Sequence, residues 1–132
     1  MKFQPDMQYL VDSFRRIVET PSPVGFYSLL NPVLEREAAE LGCNLTYDRR
    51  GTPYITLEGQ DNSKTVLIGA HADTVGFVVR RVDANGMLRV RQLGDINYAS
   101  CEGETVTVHT RDGRQYTGLF ACQSHSVHAI AF

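Results

Sequence analysis

The sequence predicts an α+β chain in which helices come first and short strands follow. Three features predict it. All five prolines stand at or before Pro53, whereas Gly42, Gly51, Gly59, Gly69, Gly76, Gly86, Gly94, Gly103 and Gly113 punctuate the rest at short, similar intervals. Such spacing marks strand-and-turn sequence. Apolar residues repeat with a helical period before Gly42 and with a period of two after it. Two Asx-Gly pairs, Asn85-Gly86 and Asp112-Gly113, each separate strand-like runs, a strong hairpin signal.

The elements follow in order. Met7, Leu10, Val11, Phe14, Ile17 and Val18 form one helical stripe, with Gln8, Asp12, Arg15, Arg16 and Glu19 on the other face. Asp6 suits the N-cap, and Pro21 stops the helix by restricting Thr20 and removing a donor. Pro21-Ser22-Pro23-Val24-Gly25 reads as a rigid loop. A second helix is predicted from about Ser28 to Leu41, with Leu30, Val33, Leu34, Glu37, Ala38 and Leu41 as its inner stripe and edge. Pro32 belongs in its first turns and Gly42 at its C-terminal cap.

Alternation then takes over. Cys43, Leu45 and Tyr47 alternate with Asn44 and Thr46, Arg49-Arg50-Gly51 turns, and Tyr54 to Leu57 returns. Lys64 to Ala70 holds the continuous run Val66-Leu67-Ile68, typical of a central strand covered on both faces. Hairpins are predicted from Val75–Val82 with Met87–Leu93, and from Thr105–Thr110 with Gln115–Cys122. Val127 to Phe132 reads as a last strand, and the chain stops inside it. That ending fits either a terminal strand or a chain cut short of its parent's length.

Composition narrows the function classes. Thirteen Lys and Arg against fifteen Asp and Glu leave a net charge of -2. No broad electrostatic surface for nucleic acid or anionic lipid is expected. Apolar runs are broken within a few residues, as at Val75 to Val79 before Arg80 and Arg81, which argues against a membrane span. Met1 onward lacks a charged-then-apolar leader pattern. Cys43, Cys101 and Cys122 are odd in number with no C-x-x-C spacing. Free thiols in a reducing cytoplasm are therefore expected.

The segment richest in chemistry is Val66 to Phe77. A buried strand would deliver His71 and Asp73 at its C-terminal end, the edge at which ligands gather in open α/β sheets. Residues two apart on a strand share a face. The imidazole can bind a divalent metal through one nitrogen while the carboxylate holds the other. Alone, His-x-Asp is a weak signal: a strand-end histidine beside a turn or cap aspartate is the commoner arrangement. Cys122, His125 and His128 have a C-x2-H-x2-H spacing, but residues three apart on a strand face opposite ways. A loop at Ser124 to Ser126 and a partly buried strand His128 fit it better. His109 reads as a surface residue. Arg49-Arg50 and Arg80-Arg81 could touch phosphate or carboxylate, though solvated strand ends are the commoner explanation.

Context changes the weight of His71 and Asp73. Ala70-His71-Ala72-Asp73-Thr74-Val75-Gly76-Phe77 resembles the AHxDxxGF signature of the M42 metallo-aminopeptidases, the group that includes FrvX-like glutamyl aminopeptidases and cellulase M. Pro21-Ser22-Pro23-Val24-Gly25 is similar to the family's PSPSG loop. Arg50-Gly51 and its strand precede the His-x-Asp strand, as in the family, and Asp83 to Gly94 is similar to a family hairpin. Gly103-Glu104-Thr105-Val106 and Asp112 to Gly118 resemble the opening strands of the family's inserted β-barrel. The ordered resemblance covers nearly the whole chain.

The resemblance implies N-terminal helices on a mixed β-sheet, residues 1–92 being part of a catalytic domain. Residues 93–132 would begin an inserted PDZ-like dimerisation barrel. It implies hydrolysis of N-terminal residues from peptides with two divalent ions (zinc, cobalt or manganese), in a homo-oligomer. His71 looks like a metal ligand and Asp73 like the carboxylate that supports it. Thr74 departs from the Glu most often found there, which bears on subfamily and substrate. The family's bridging Asp, general-base Glu, further carboxylate ligands and final His lie beyond Phe132. One His and one Asp cannot build a two-metal clamp with a base beside it, so the isolated chain is expected to be inactive. The rival reading is a non-catalytic module that binds partners or self-associates through unpaired strand edges.

Overall fold

The computed structural model describes residues 4–121. The chain forms two compact units, Met1–Gly94 and Asp95–Phe132.

The first unit opens with helix α1, Met7–Val18, capped by Asp6, whose carboxylate accepts the Tyr9 N–H at 3.0 Å. Helix α2, Leu30–Glu40, ends as its sequence implies. Gly42 takes a φ of 66°. Its N–H donates to Ala39 at 3.0 Å, and the Cys43 N–H donates to Ala38 at 2.8 Å. Those two bonds are a Schellman closure, which needs a residue tolerant of positive φ. Leu30 and Ala38 are buried, and Val33 and Leu34 half-buried, so α2 turns inward the stripe expected of it.

Helix α1 does not. Met7, Leu10, Val11, Phe14 and Val18 all lie exposed. It is tied to α2 instead by a polar stripe of residues about one or two turns apart. Ser13 Oγ donates to Glu37 at 2.8 Å, Arg16 Nε donates to it at 2.6 Å, and Tyr9 Oη donates at 3.4 Å. Glu37 is thus a buried acid satisfied from a facing helix.

Strands β1, Leu45–Tyr47, and β2, Pro53–Ile55, pair antiparallel around a turn in which Asp48 accepts the Arg50 and Thr52 N–H groups, both at 2.8 Å. Strands β3, Gly76–Val82, and β4, Leu88–Leu93, form the Asn85-Gly86 hairpin, with a register shift between Val79 and Arg81. Asp83 accepts from Arg81 at 2.8 Å and from Arg89 at 2.6 Å. That accounts for Arg81 as a structural partner.

Between these hairpins the expected central strand is not paired. Val66, Leu67 and Ile68 are at least 85% exposed. A strand needs hydrogen-bonding neighbours on its edges, and none of the described residues supplies them here. The described strands therefore make three two-stranded antiparallel sheets, where the resemblance implied a mixed sheet followed by the start of a barrel. The sole parallel pairing among the described residues is the bridge Pro23–Thr74.

In the second unit a short 3-10 turn, Tyr98–Ser100, precedes β5, Thr105–His109, and β6, Gln115–Leu119, which pair antiparallel through the Asp112-Gly113 turn. Tyr98 stacks on Phe120 with ring centroids 6.2 Å apart. Closure into a barrel is not seen among the described residues. The Cys122, His125 and His128 spacing and the last predicted strand lie outside them.

Candidate functional site

The site is built by a segment with little support of its own. From His71 to Val75 the burial alternates: 71, 73 and 75 are exposed, 72 and 74 half-buried. That is extended backbone with one face turned in. The inward face meets the Pro21-Ser22-Pro23 loop. Ser22 Oγ donates to the Ala72 carbonyl at 2.7 Å, the Thr74 N–H donates to the Ser22 carbonyl at 3.1 Å, and the Ser22 N–H donates to Thr74 Oγ1 at 3.3 Å. Ser22 is 0% exposed. A Cβ added to Gly76 would lie 2.8 Å from Pro23 Cβ, so only glycine permits this approach.

The outward face carries His71 and Asp73. Their Nδ1 and Oδ1 atoms are 3.2 Å apart. A carboxylate only accepts, so in a neutral ring this contact puts the proton on Nδ1 and leaves Nε2 with its lone pair. The His71 side chain is 85% exposed and that of Asp73 40%. Both line a cleft of about 260 Å³ with Tyr27, Asn31, Leu34 and Arg50. The ring is therefore open to a cleft and not sealed among hydrocarbon.

Two other features fit chemistry less well. Glu37 lines a groove of about 440 Å³ beside α1. The Arg16 guanidinium bonded to it, with help from Ser13, holds its carboxyl at about 2 against desolvation that pushes the other way. A general base works best near ambient pH, so Glu37 is a structural anion. His109 is half-buried on β5 opposite Gln115.

The donor set present here fits part of a metal site. An imidazole with a free Nε2, steadied by a carboxylate at Nδ1, is the usual form of a metal-binding histidine. Among the described residues, no three His, Cys, Asp or Glu side chains converge to hold an ion. Four-coordinate zinc needs more donors than this.

His71 and Asp73 stand out in the sequence itself. The Ser22 contact and the Glu37 helix tie do not. A small polar residue wedged between two prolines was the available signal for Ser22.

Comparison with known proteins adds the family. The M42 glutamyl aminopeptidase profile matches residues 51–131, a stretch that takes in both His71 and Asp73. YhfE of Bacillus subtilis, described as a candidate aminopeptidase, is 32% identical over 119 residues, covering 89% of this chain and 34% of that protein. A glutamyl aminopeptidase of Lactococcus lactis subsp. cremoris is 30% identical over 107 residues, covering 80% of this chain and 30% of that protein. The TET aminopeptidase crystal structure from a marine-sediment Thaumarchaeota archaeon superposes with a TM-score of 0.80 at 23% identity, covering 96% of this chain and 34% of the other. That likeness concerns the fold. The chain spans about a third of the length of these relatives. It belongs to the M42 glutamyl aminopeptidase family.

Proposed function

We propose that this chain is the N-terminal portion of a two-metal aminopeptidase that removes N-terminal residues from peptides. One observation carries the reading: within the family-matched stretch, His71 faces an open cleft with Nε2 free and Nδ1 engaged by Asp73. His71 would be a metal ligand, and Asp73 would fix its ring and tautomer. A bound pair of zinc, cobalt or manganese ions would lower the pKa of water and polarise the scissile carbonyl. The cleft beside His71 would receive the peptide's N-terminal residue. Among the described residues the buried carboxylate, that of Glu37, is already committed to Arg16, and one His with one Asp cannot complete a two-metal clamp, so this chain would be inactive alone. Residues 1–92 would be catalytic-domain sequence and residues 93–132 the opening of a dimerising barrel, a reading supported by the compact units meeting at Gly94 and Asp95. A cytoplasmic homo-oligomer completes the proposal, consistent with half-buried free thiols at Cys43 and Cys101.

The test is a chimera joining this chain to the part of the Bacillus relative beyond the matched third. With zinc, cobalt or manganese it should hydrolyse aminoacyl-anilides, and His71→Ala should abolish turnover. The isolated chain should show none. Metal-dependent turnover by the isolated chain, or an indifferent His71→Ala chimera, would contradict the proposal.

A second reading, a self-associating module, is favoured by the exposed Val66-Leu67-Ile68 run and the exposed apolar face of α1. It requires concentration-dependent oligomers that ignore chelator and His71→Ala.

A further inference from the structure

We propose that Ser22 and Thr74 are positioning residues that set the direction and tautomer of His71 from the far side of its segment. The proposal rests on the peptidase reading for the identity of Nε2 as an ion-binding atom; the clamp itself stands on geometry.

Among the described residues, no strand ladder holds residues 70–75. Among the described residues, their one backbone pairing is the parallel bridge at Pro23 and Thr74. The hydrogen bonds that hold this stretch flank Asp73 on both sides. The Ala72 carbonyl is held by Ser22 Oγ, and Thr74 is held through both its N–H and its Oγ1. In extended backbone, side chains alternate between faces. Fixing 72 and 74 against the loop therefore turns 71 and 73 together toward the cleft. The Nδ1–Oδ1 contact of 3.2 Å is the outcome.

The Pro-Ser-Pro order suits this task. Pro21 and Pro23 restrict the loop backbone. Ser22 is small enough to be fully buried, yet carries a donor for the Ala72 carbonyl. Pro23 packs on Gly76, closing the loop on the start of β3. The hydroxyl of Thr74 has a job that a methyl cannot do, since it accepts the Ser22 N–H. Neither residue touches the cleft, so neither is catalytic.

The experiment reads the imidazole nitrogens of His71 by NMR in the full 15N-labelled chain, held at about pH 8, above the ordinary histidine range. Wild type should populate mainly the Nδ1–H tautomer. Losing one hydrogen bond of the clamp should lower the tautomer ratio about three- to tenfold. Ser22→Ala and Thr74→Val should both do so, and Thr74→Ser, which keeps the hydroxyl, should restore the wild-type ratio. The threonine pair keeps the test decisive if Ser22→Ala fails to fold. A wild-type ring with the tautomer mix of free imidazole would overturn the clamp, as would a folded Thr74→Val that keeps the wild-type ratio. A clamp that behaves as expected in a chain whose chimera does not hydrolyse would stand without the peptidase. An active chimera with tautomers indifferent to Thr74→Val would leave the peptidase and remove the clamp.

Discussion

Two parts of the first unit treat their side chains in opposite ways. Between α1 and α2 the contact is polar and locally complete: Tyr9, Ser13 and Arg16 all bond to Glu37. In the stretch from Val66 to Asp73 the chain is apolar, extended and open, with Leu67 92% exposed. The difference teaches where the chain's own contacts suffice. A buried carboxylate must be satisfied within the fold that buries it, whereas an apolar two-faced run gains only when something covers it. The helix pair is self-contained; the segment that carries His71 leans on a loop at its back, and among the described residues no strand pairs its edges.

Breaking the helix side should have the largest effect. Glu37→Ala removes the shared partner of three side chains and should cost about 2–3 kcal/mol in urea unfolding. Acid should weaken the same tie. Glu37 is held at about 2, below its ordinary 4.5, by the Arg16 hydrogen bond foremost. A carboxyl depressed on folding contributes stability that is complete above the higher value. That stability is lost as pH falls through the lower one. Wild-type stability should therefore decline between about pH 5 and pH 2, and Glu37→Ala should flatten that decline. A decline of unchanged size in the variant would place the acid sensitivity elsewhere.

The loop behind the site should come next. Gly76→Ala puts a Cβ 2.8 Å from the Pro23 ring, a contact that forces loop and strand apart. A cost of about 1–2 kcal/mol is expected, accompanied by loss of protection at the Thr74 amide in hydrogen exchange. A neutral Gly76→Ala with Thr74 still protected would show that the approach is not tight.

The smallest effect sharpens the comparison most. Leu67→Asp should leave the stability of the isolated chain within about 0.5 kcal/mol, as for other open surface positions. In the chimera it should destabilise, because a charge would then be placed where the run is covered. Equal loss in both would mean that the run is already covered in the chain itself.

What could be read from the sequence was what is decided locally. Asp6 as a cap, Gly42 as a helix end, and the two Asx-Gly hairpins depend on neighbours a few residues away, and all appear as expected. His71 and Asp73 were legible as a pair because a two-residue spacing puts them on one face. The rest depends on distant contacts. Which face of α1 would turn inward was settled by an acid on another helix, more than twenty residues away for Ser13 and Arg16. Hydrophobic periodicity alone pointed the other way. Ser22 meets Ala72 and Thr74 across fifty or so residues, a distance no local pattern reports. The run Val66-Leu67-Ile68 was legible as strand sequence, but pairing is a property of its neighbours.

The central claim is that His71 is one of the metal ligands of an M42 site. Its most direct test is the metal content of the zinc-saturated chimera after removal of loosely held ions. About two zinc ions per chain are predicted with His71 present, and no more than about one with His71→Ala. Equal zinc in both proteins would contradict the account.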